Sequence, residues 1–235
     1  MHHRYDEDEQ RLRETASEEL WTSDLLDMTV DVSAPILRAA QWQKVPEYAP
    51  QLWHERSVAI LALGAIGLRQ ARAIAVTVRS GWSPEAHGPY RRLQEAAGHA
   101  QGVARDSSGQ YAENWIRGKG RAASPQIAFG GGSGGDPLWG LMSNQAHANF
   151  EHYINLSRAW DDEKGFLHRL IPERDLKWDN IFLWMTGRRL MQIFAASLTV
   201  HEHIDQTDFL AVGRHVEDGE IRLANELDQA LEHSS

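Results

Sequence analysis

Three side chains that can move protons or hold phosphate follow one another on one predicted helix. Arg92, Glu95 and His99 fall within about 60° of arc at helical spacing. They border an apolar stripe, and a buried charge without a partner is strongly unfavourable. Ser143 and His147, four residues apart, share one face of a later helix. We predict that the two helices pack together and that these five side chains form a polar seam.

The polar seam allows two interpretations. In the first it is a structural Arg–Glu–His–Ser network that holds two helices together, with Arg92 paired to Glu95. In the second it is the catalytic site of a metal-independent ribonuclease, in which His147 acts as general acid or base and an arginine holds the scissile phosphate. We favour the structural interpretation. Replacing His147 by alanine distinguishes them, because it would lower either stability or RNA cleavage.

A histidine and a carboxylate four residues apart are also typical of helical metal sites. Glu95 with His99, and His147 with Glu151, have this spacing, so a helical carboxylate–histidine metal enzyme is a third hypothesis. With 12 histidines and 33 acidic residues in 235 positions, several such pairs arise by chance. The main prediction therefore includes no metal and no other cofactor.

A basic cluster precedes a glycine-rich segment. Arg117, Lys119 and Arg121 are candidates for contacts to a phosphate or an RNA backbone. Residues 130–135, GGGSGG, have the composition of a flexible linker and match neither a phosphate-binding loop nor a strand–serine–helix nucleophile motif. We predict a flexible loop over 118–136 and a disordered tail over 1–7.

The elements that must position these residues are helices, since helical periodicity recurs and strand signals are scarce. We predict an all-α fold of six or seven helices, packed as an irregular bundle in a single domain over 1–235. The first helix is expected from about Asp8 to Met28, and Pro35 is expected to open a second. The next predicted helix runs from about Gln51 to Ser80 and stops at Gly81. A further helix starts near Ser83 or Gly88 and ends at Asp106, and the last three open at Pro137 and span Ile181–Leu198 and Asp208–Glu232. A short segment at about Gln110–Arg117 is an additional helix candidate beyond these.

Composition narrows the class of protein. The 24 basic and 33 acidic residues give a net charge of −9, which disfavours broad binding to nucleic acids or anionic membranes but permits a local basic groove. The absence of cysteine excludes disulfides and thiolate metal sites. Arg69 and Arg72 interrupt the most apolar run, and no secretory signal is visible, so we expect a cytoplasmic protein without a membrane partner. The nine tryptophans are more than a chain of this length usually has, and they cannot all be assumed to be buried. Because exposed aromatic side chains are enriched at protein interfaces, we predict a homodimer.

A family resemblance spans about residues 69–155. The Arg-x-Leu-x-Glu helix at 91–95, Trp115, a variable loop and the aromatic-led helix from Trp139 to His147 resemble bacterial all-helical proteins similar to the HEPN superfamily. This resemblance implies a protein- or RNA-interaction domain in phage defence or a toxin–antitoxin system. Active HEPN ribonucleases typically have an arginine, four to six residues and then a histidine, often as Arg-Asn-x-x-x-His. Here Ser143 or Asn144 corresponds to the asparagine and His147 to the histidine, whereas Met142 or Leu141 stands in place of the arginine.

Overall fold

A computed structural model describes residues 2–41, 50–118 and 174–232, with side chains over 7–40, 55–118 except Pro84, and 174–226. Within these ranges the chain is all-helical: seven α-helices and one short 3-10 helix pack together, without strands. The α-helices are α1 (His2–Glu19), α2 (Trp21–Gln41), α3 (Pro50–Arg79), α4 (His87–Arg105), α5 (Gln110–Ile116), α6 (Leu176–Val200) and α7 (Thr207–Glu232); the 3-10 helix is Ser83–Ala86.

Helices α2, α3, α4 and α6 form the centre of the bundle. Helices α3 and α4 are antiparallel, because Arg56 donates to the Val103 and Ala104 carbonyls at one end while Gly67 lies close to Leu93 further along. Apolar side chains of all four helices meet in one core, which removes them from water and stabilises the fold. The largest fully buried ones include Leu26, Ile60, Leu63, Ile74, Tyr90, Leu93, Leu183, Leu190, Ile193 and Phe194.

The start of the chain differs from the prediction. The expected continuous helix from Asp8 to Met28 is wrong, because the chain breaks at Leu20 and α2 begins at Trp21. The cause is a distant side chain: the amide oxygen of Asn180 accepts bonds from the backbone and the hydroxyl of Thr22. The expected helix start at Pro35 is also wrong. Pro35 lies inside α2 on its exposed side, while Leu26 and Ile36 are buried in the core.

Helix α1 begins at His2, inside the segment 1–7 for which we predicted disorder. Glu9 anchors this helix, since its carboxylate accepts a bond from Trp82 Nε1 and pairs with Arg13. The first turns of α1, which begins at His2, lie directly before Glu9 in the same helix. The predicted flexible loop over 118–136 lies outside the described residues except for Gly118, and the predicted helix from Pro137 lies wholly outside them.

Several predicted boundaries are confirmed. Helix α3 is the longest, and Gly81 after it adopts a φ of 81°, the left-handed conformation that ends a helix. Helix α4 ends at Arg105, before the predicted interruption. Part of α3, Glu55–Arg79, is long and apolar enough to cross a membrane by length and composition, although half of its most apolar 18-residue stretch is buried within the bundle.

Candidate functional site

The predicted face of α4 exists, but its ion pair differs from the prediction. Arg92 is exposed, while Glu95 and His99 are partly buried on the same side of the helix. The Glu95 carboxylate pairs with Arg91 at 3.2 Å and not with Arg92. Arg91 lies four residues before Glu95, a spacing that makes the two side chains neighbours on the helix surface, although the order with the acid first is the more favourable one. Arg92 therefore projects to solvent, with no partner among the described residues.

Helix α5 brings two aromatic rings to His99. The Nδ1 atom of His99 lies 2.9 Å from the hydroxyl oxygen of Tyr111, and the Trp115 ring centroid lies 6.0 Å from the imidazole centroid. Burial lowers the pKa of His99 below its usual value, against a raising effect of the Glu95 carboxylate. Burial also raises the pKa of Tyr111. At neutral pH the pair is therefore an uncharged imidazole beside a protonated phenol.

Two features fix α5 against α4. The Asp106 carboxylate accepts bonds from Ser108 and, at 2.6 Å, from the backbone N–H of Tyr111, so it satisfies the free donors at the start of α5. The bond from the Ser108 hydroxyl is the largest cause of the lowered pKa of Asp106. Gly102 then allows the Tyr111 ring to pack directly on the α4 backbone, because a Cβ there would overlap the ring.

The basic charge of the protein is concentrated in α3 to α5. Residues 50–118 contain eight arginines against five acidic residues, a net charge of +3. Residues 2–41 contain four basic and ten acidic residues, and residues 174–232 contain six basic and eleven acidic ones, so these parts have net charges of −6 and −5. The face with His99 therefore belongs to a cationic part of an otherwise acidic protein.

The structure tests the predicted site only in part. Arg117 follows α5, is exposed, and pairs with Glu113 at 2.8 Å. Lys119, Arg121, Ser143 and His147 lie outside the described residues, so the polar seam between the two predicted helices stays a prediction. Among the described side chains no three histidine or acidic groups come together as metal ligands. The fourth residue of the metal hypothesis, Glu151, also lies outside them.

Sequence reasoning missed a buried arginine that joins three parts of the chain. The Arg174 side chain is 8% exposed and bonds to Glu19 at 3.0 Å. It also donates to the carbonyls of Leu12, Val78 and Arg79, so it satisfies acceptors at the end of α3 and in α1. No local pattern marks this residue, because its partners are distant along the chain. With its donors directed to protein acceptors, Arg174 has a structural role.

Asp179, fully buried on α6, completes this network. Its carboxylate accepts bonds from the Ser83 hydroxyl and the Asp175 N–H, and it lies 3.7 Å from Arg174. Burial raises the pKa of Asp179 to about 6, although Ser83 and Arg174 act in the opposite direction. Desolvation therefore outweighs the long ion pair.

A second buried polar pair joins α3 to the end of α6. Ser57 Oγ lies 3.4 Å from His201 Nε2, and His201 is 1% exposed. Burial is the main reason that the pKa of His201 falls to about 4, and the neighbouring His203 adds to it. A serine beside a neutral histidine is a nucleophile–base combination, but substrate cannot reach groups buried this deeply. We therefore assign this pair to the core.

The chain matches no protein-family model, no curated protein and no solved structure to which it was compared. The resemblance to the HEPN superfamily therefore stays a prediction from short sequence motifs. The site is defined by its own geometry: an exposed arginine, a neutral histidine and two aromatic rings on the cationic part of the bundle.

Proposed function

We propose that this protein is an all-helical interaction domain that binds RNA through the surface formed by Arg92, His99, Tyr111, Trp115 and Arg117, here called the α4–α5 surface. The single observation behind the proposal is that α4 and the residue after α5 carry three exposed arginines, Arg92, Arg105 and Arg117, in a chain of net charge −9. Phosphate contacts supply most of the non-specific affinity for nucleic acids, and they require clustered cations. Lys119 and Arg121 follow the surface directly in sequence and would extend it.

The aromatic groups favour RNA over a simple anion. Single-stranded RNA exposes bases that stack on aromatic or imidazole rings, whereas inorganic phosphate has no such group. Trp115 and Tyr111 lie beside His99, and Arg92 is exposed on the same side of α4 as His99. The surface thus combines a cation for the backbone with rings for the bases.

Fluorescence anisotropy with a labelled single-stranded RNA of mixed sequence tests the proposal at several salt concentrations. Arg92→Glu should weaken binding, and it should reduce the slope of log affinity against log salt by about 1 for a lost phosphate contact. Arg214→Glu is the matched control, because Arg214 is exposed on the acidic helix α7. If the parent protein does not bind RNA, or if both variants weaken binding equally, the proposal is wrong.

A metal-independent ribonuclease is the second candidate function, and the state of His99 favours it. The imidazole is neutral at neutral pH, as a general base requires, and it lies two helical turns from Arg92 on one side of α4. In this hypothesis His147 remains the second histidine. Cleavage of labelled RNA that resists a chelator and is lost in both His99→Gln and His147→Ala would support it. RNA binding without RNA cleavage would support the interaction domain and contradict the ribonuclease.

The cellular setting follows from the resemblance and is part of the same proposal. We propose that the protein is a cytoplasmic homodimer that binds RNA or a protein partner and acts in phage defence or a toxin–antitoxin system. Sedimentation velocity tests the dimer, and the identity of a co-purifying protein or a neighbouring gene tests the defence role. A monomer at all concentrations would contradict the homodimer without affecting RNA binding.

A further inference from the structure

The hydrogen bond between His99 and Tyr111 determines which nitrogen of the imidazole carries its proton. The Nδ1 atom of His99 lies 2.9 Å from the Tyr111 hydroxyl oxygen, and Nε2 has no hydrogen-bond partner among the described residues. A neutral imidazole has one N–H donor and one acceptor nitrogen, so the bond at one nitrogen fixes the role of the other. The direction of this bond therefore decides what Nε2 offers to a ligand.

Tyr111 is the donor in this bond. Its side chain is partly buried, and its hydroxyl has no hydrogen-bond partner other than His99 within the described ranges. The lone pair of an imidazole nitrogen is a stronger acceptor than that of a phenol oxygen, which is partly delocalised into the ring. If Nδ1 donated instead, the phenolic proton would have no acceptor among those residues. The bond from Tyr111 to Nδ1 satisfies both groups, and Nε2 then carries the imidazole proton.

The packing of α5 holds the Tyr111 hydroxyl in place for this bond. The backbone N–H of Tyr111 donates to Asp106 at 2.6 Å, and the ring lies directly on Gly102. Burial raises the pKa of Tyr111, so the phenol keeps its proton at neutral pH. Burial also lowers the pKa of His99, and this outweighs the raising effect of the Glu95 carboxylate, so the imidazole is uncharged there. The pair therefore has one arrangement of protons, with O–H on Tyr111 and N–H on Nε2.

We propose that Tyr111 is a positioning residue of the α4–α5 surface, which holds His99 as the Nε2–H tautomer and so makes it a hydrogen-bond donor to RNA. This inference rests on the proposed RNA binding. The RNA atom that His99 contacts is an acceptor, in a phosphate or on a base, because Nε2 offers a proton and no lone pair. The lone pair of Nδ1 is already used by Tyr111. Since neither nitrogen can accept a proton in this state, the arrangement favours the interaction domain over the ribonuclease.

Nuclear magnetic resonance of the full chain without RNA tests the tautomer directly. In a two-bond proton–nitrogen correlation spectrum at neutral pH, protonated and unprotonated ring nitrogens have well-separated shifts, and comparison with His99→Gln identifies the signals of His99 among the 12 histidines. We expect an unprotonated Nδ1 and a protonated Nε2. Tyr111→Phe keeps a ring on Gly102 but removes the donor, so both His99 shifts should move toward the average of the two tautomers. The signals of the exposed His215 should not move.

RNA binding tests the donor role of His99. By fluorescence anisotropy, His99→Phe, which has no donor, should bind the labelled single-stranded RNA about two- to tenfold more weakly than the parent protein. His99→Gln should recover most of this loss, because its amide can donate from about the position of Nε2. If His99→Phe also weakens binding of an abasic RNA of the same length, the acceptor is a phosphate; if it weakens binding of the intact RNA only, the acceptor is on a base.

Failure of this inference and failure of the proposed function give different results. A protonated Nδ1, unchanged His99 shifts in Tyr111→Phe, or equal RNA affinities of the parent protein and His99→Phe would overturn the inference, even if the parent protein binds RNA. Equal weakening by His99→Phe and His99→Gln would overturn the donor role. If the parent protein does not bind RNA, the proposed function is wrong and the donor role falls with it, while the resonance spectra still decide whether Tyr111 fixes the tautomer.

Discussion

Gly102 of α4 lies directly beneath the aromatic ring of Tyr111, and no space remains between them for a methyl group. This contact brings α5 close to α4, and it places the Tyr111 hydroxyl 2.9 Å from His99 Nδ1. A small residue in α4 therefore determines the position of the aromatic part of the α4–α5 surface.

Gly102→Ala should lower the free energy of unfolding, although the same change in a helix usually raises it by about 0.5–1 kcal/mol. The new methyl group would overlap the Tyr111 ring and displace α5. Gly187→Ala on α6 is the control, because its Cβ would meet only Thr29 Oγ1, at 3.5 Å. Chemical denaturation measures both variants. A more stable Gly102→Ala protein would contradict the close packing described here.

His201 should make the protein sensitive to acid. Its pKa is about 4 in the folded protein and near 6.5 in the unfolded chain, so its contribution is present above pH 6.5 and is lost as the pH falls through 4. The loss amounts to about 3 kcal/mol, at about 1.4 kcal/mol per pKa unit. His201→Gln removes this loss, so the slope of its unfolding free energy against pH between pH 4 and 7 should be less positive than that of the parent protein. The same change at the exposed His215 should leave that slope as it is.

Asp179 should change the free energy of unfolding with pH in the direction opposite to His201, over nearly the same pH range. Its pKa is about 6 in the folded protein against 3.8 in the unfolded chain, so its contribution is complete below 3.8 and is lost as the pH rises through 6. This effect is also about 3 kcal/mol. The two groups nearly cancel in the parent protein. Asp179→Asn should therefore become steeply less stable on acidification, and Asp218→Asn on the surface of α7 should not.

Gln94→Met should stabilise the protein. The Gln94 side chain is fully buried on α4, and neither its amide nitrogen nor its amide oxygen has a hydrogen-bond partner among the described residues. Removing such a group should raise the free energy of unfolding by about 1–3 kcal/mol, or the Tm by about 2–4 °C per kcal/mol. Gln101→Met is the control and should not stabilise, because Gln101 donates to the Gln192 carbonyl at 3.0 Å. A less stable Gln94→Met protein would mean that a buried water satisfies the amide.

The sequence was sufficient to predict the helices whose boundaries depend on nearby residues. Gly81 ends α3 through its own conformation, and the Asp106–Gly109 interruption precedes α5 as expected. The break at Leu20 could not be predicted, since the residue that caps Thr22 is Asn180, 158 positions away. Long-range side-chain contacts leave no periodic signal.

The sequence was sufficient to predict which α4 residues of the candidate site share one side of the helix, but not which residues they contact. Helical spacing placed Arg92, Glu95 and His99 on one side, and the structure confirms that placement. It could not decide which of two adjacent arginines pairs with Glu95, because both lie within reach on a helix. The bond between His99 and Tyr111 crosses a loop, whose path is set by the Asp106 cap and by Gly102.

The links from Arg174 and Asn180 back to the first two helices have a consequence for synthesis on the ribosome. Helices α1 and α2 emerge first, but Thr22 meets Asn180 only after another 158 residues have been added. At about 5–20 residues per second, these helices wait roughly eight to thirty seconds for their final contacts. Their apolar sides, including Leu20 and Leu26, are open to chaperones during that interval. Helices α1 and α2 thus make their contacts with Arg174 and Asn180 only after α6 has begun to emerge.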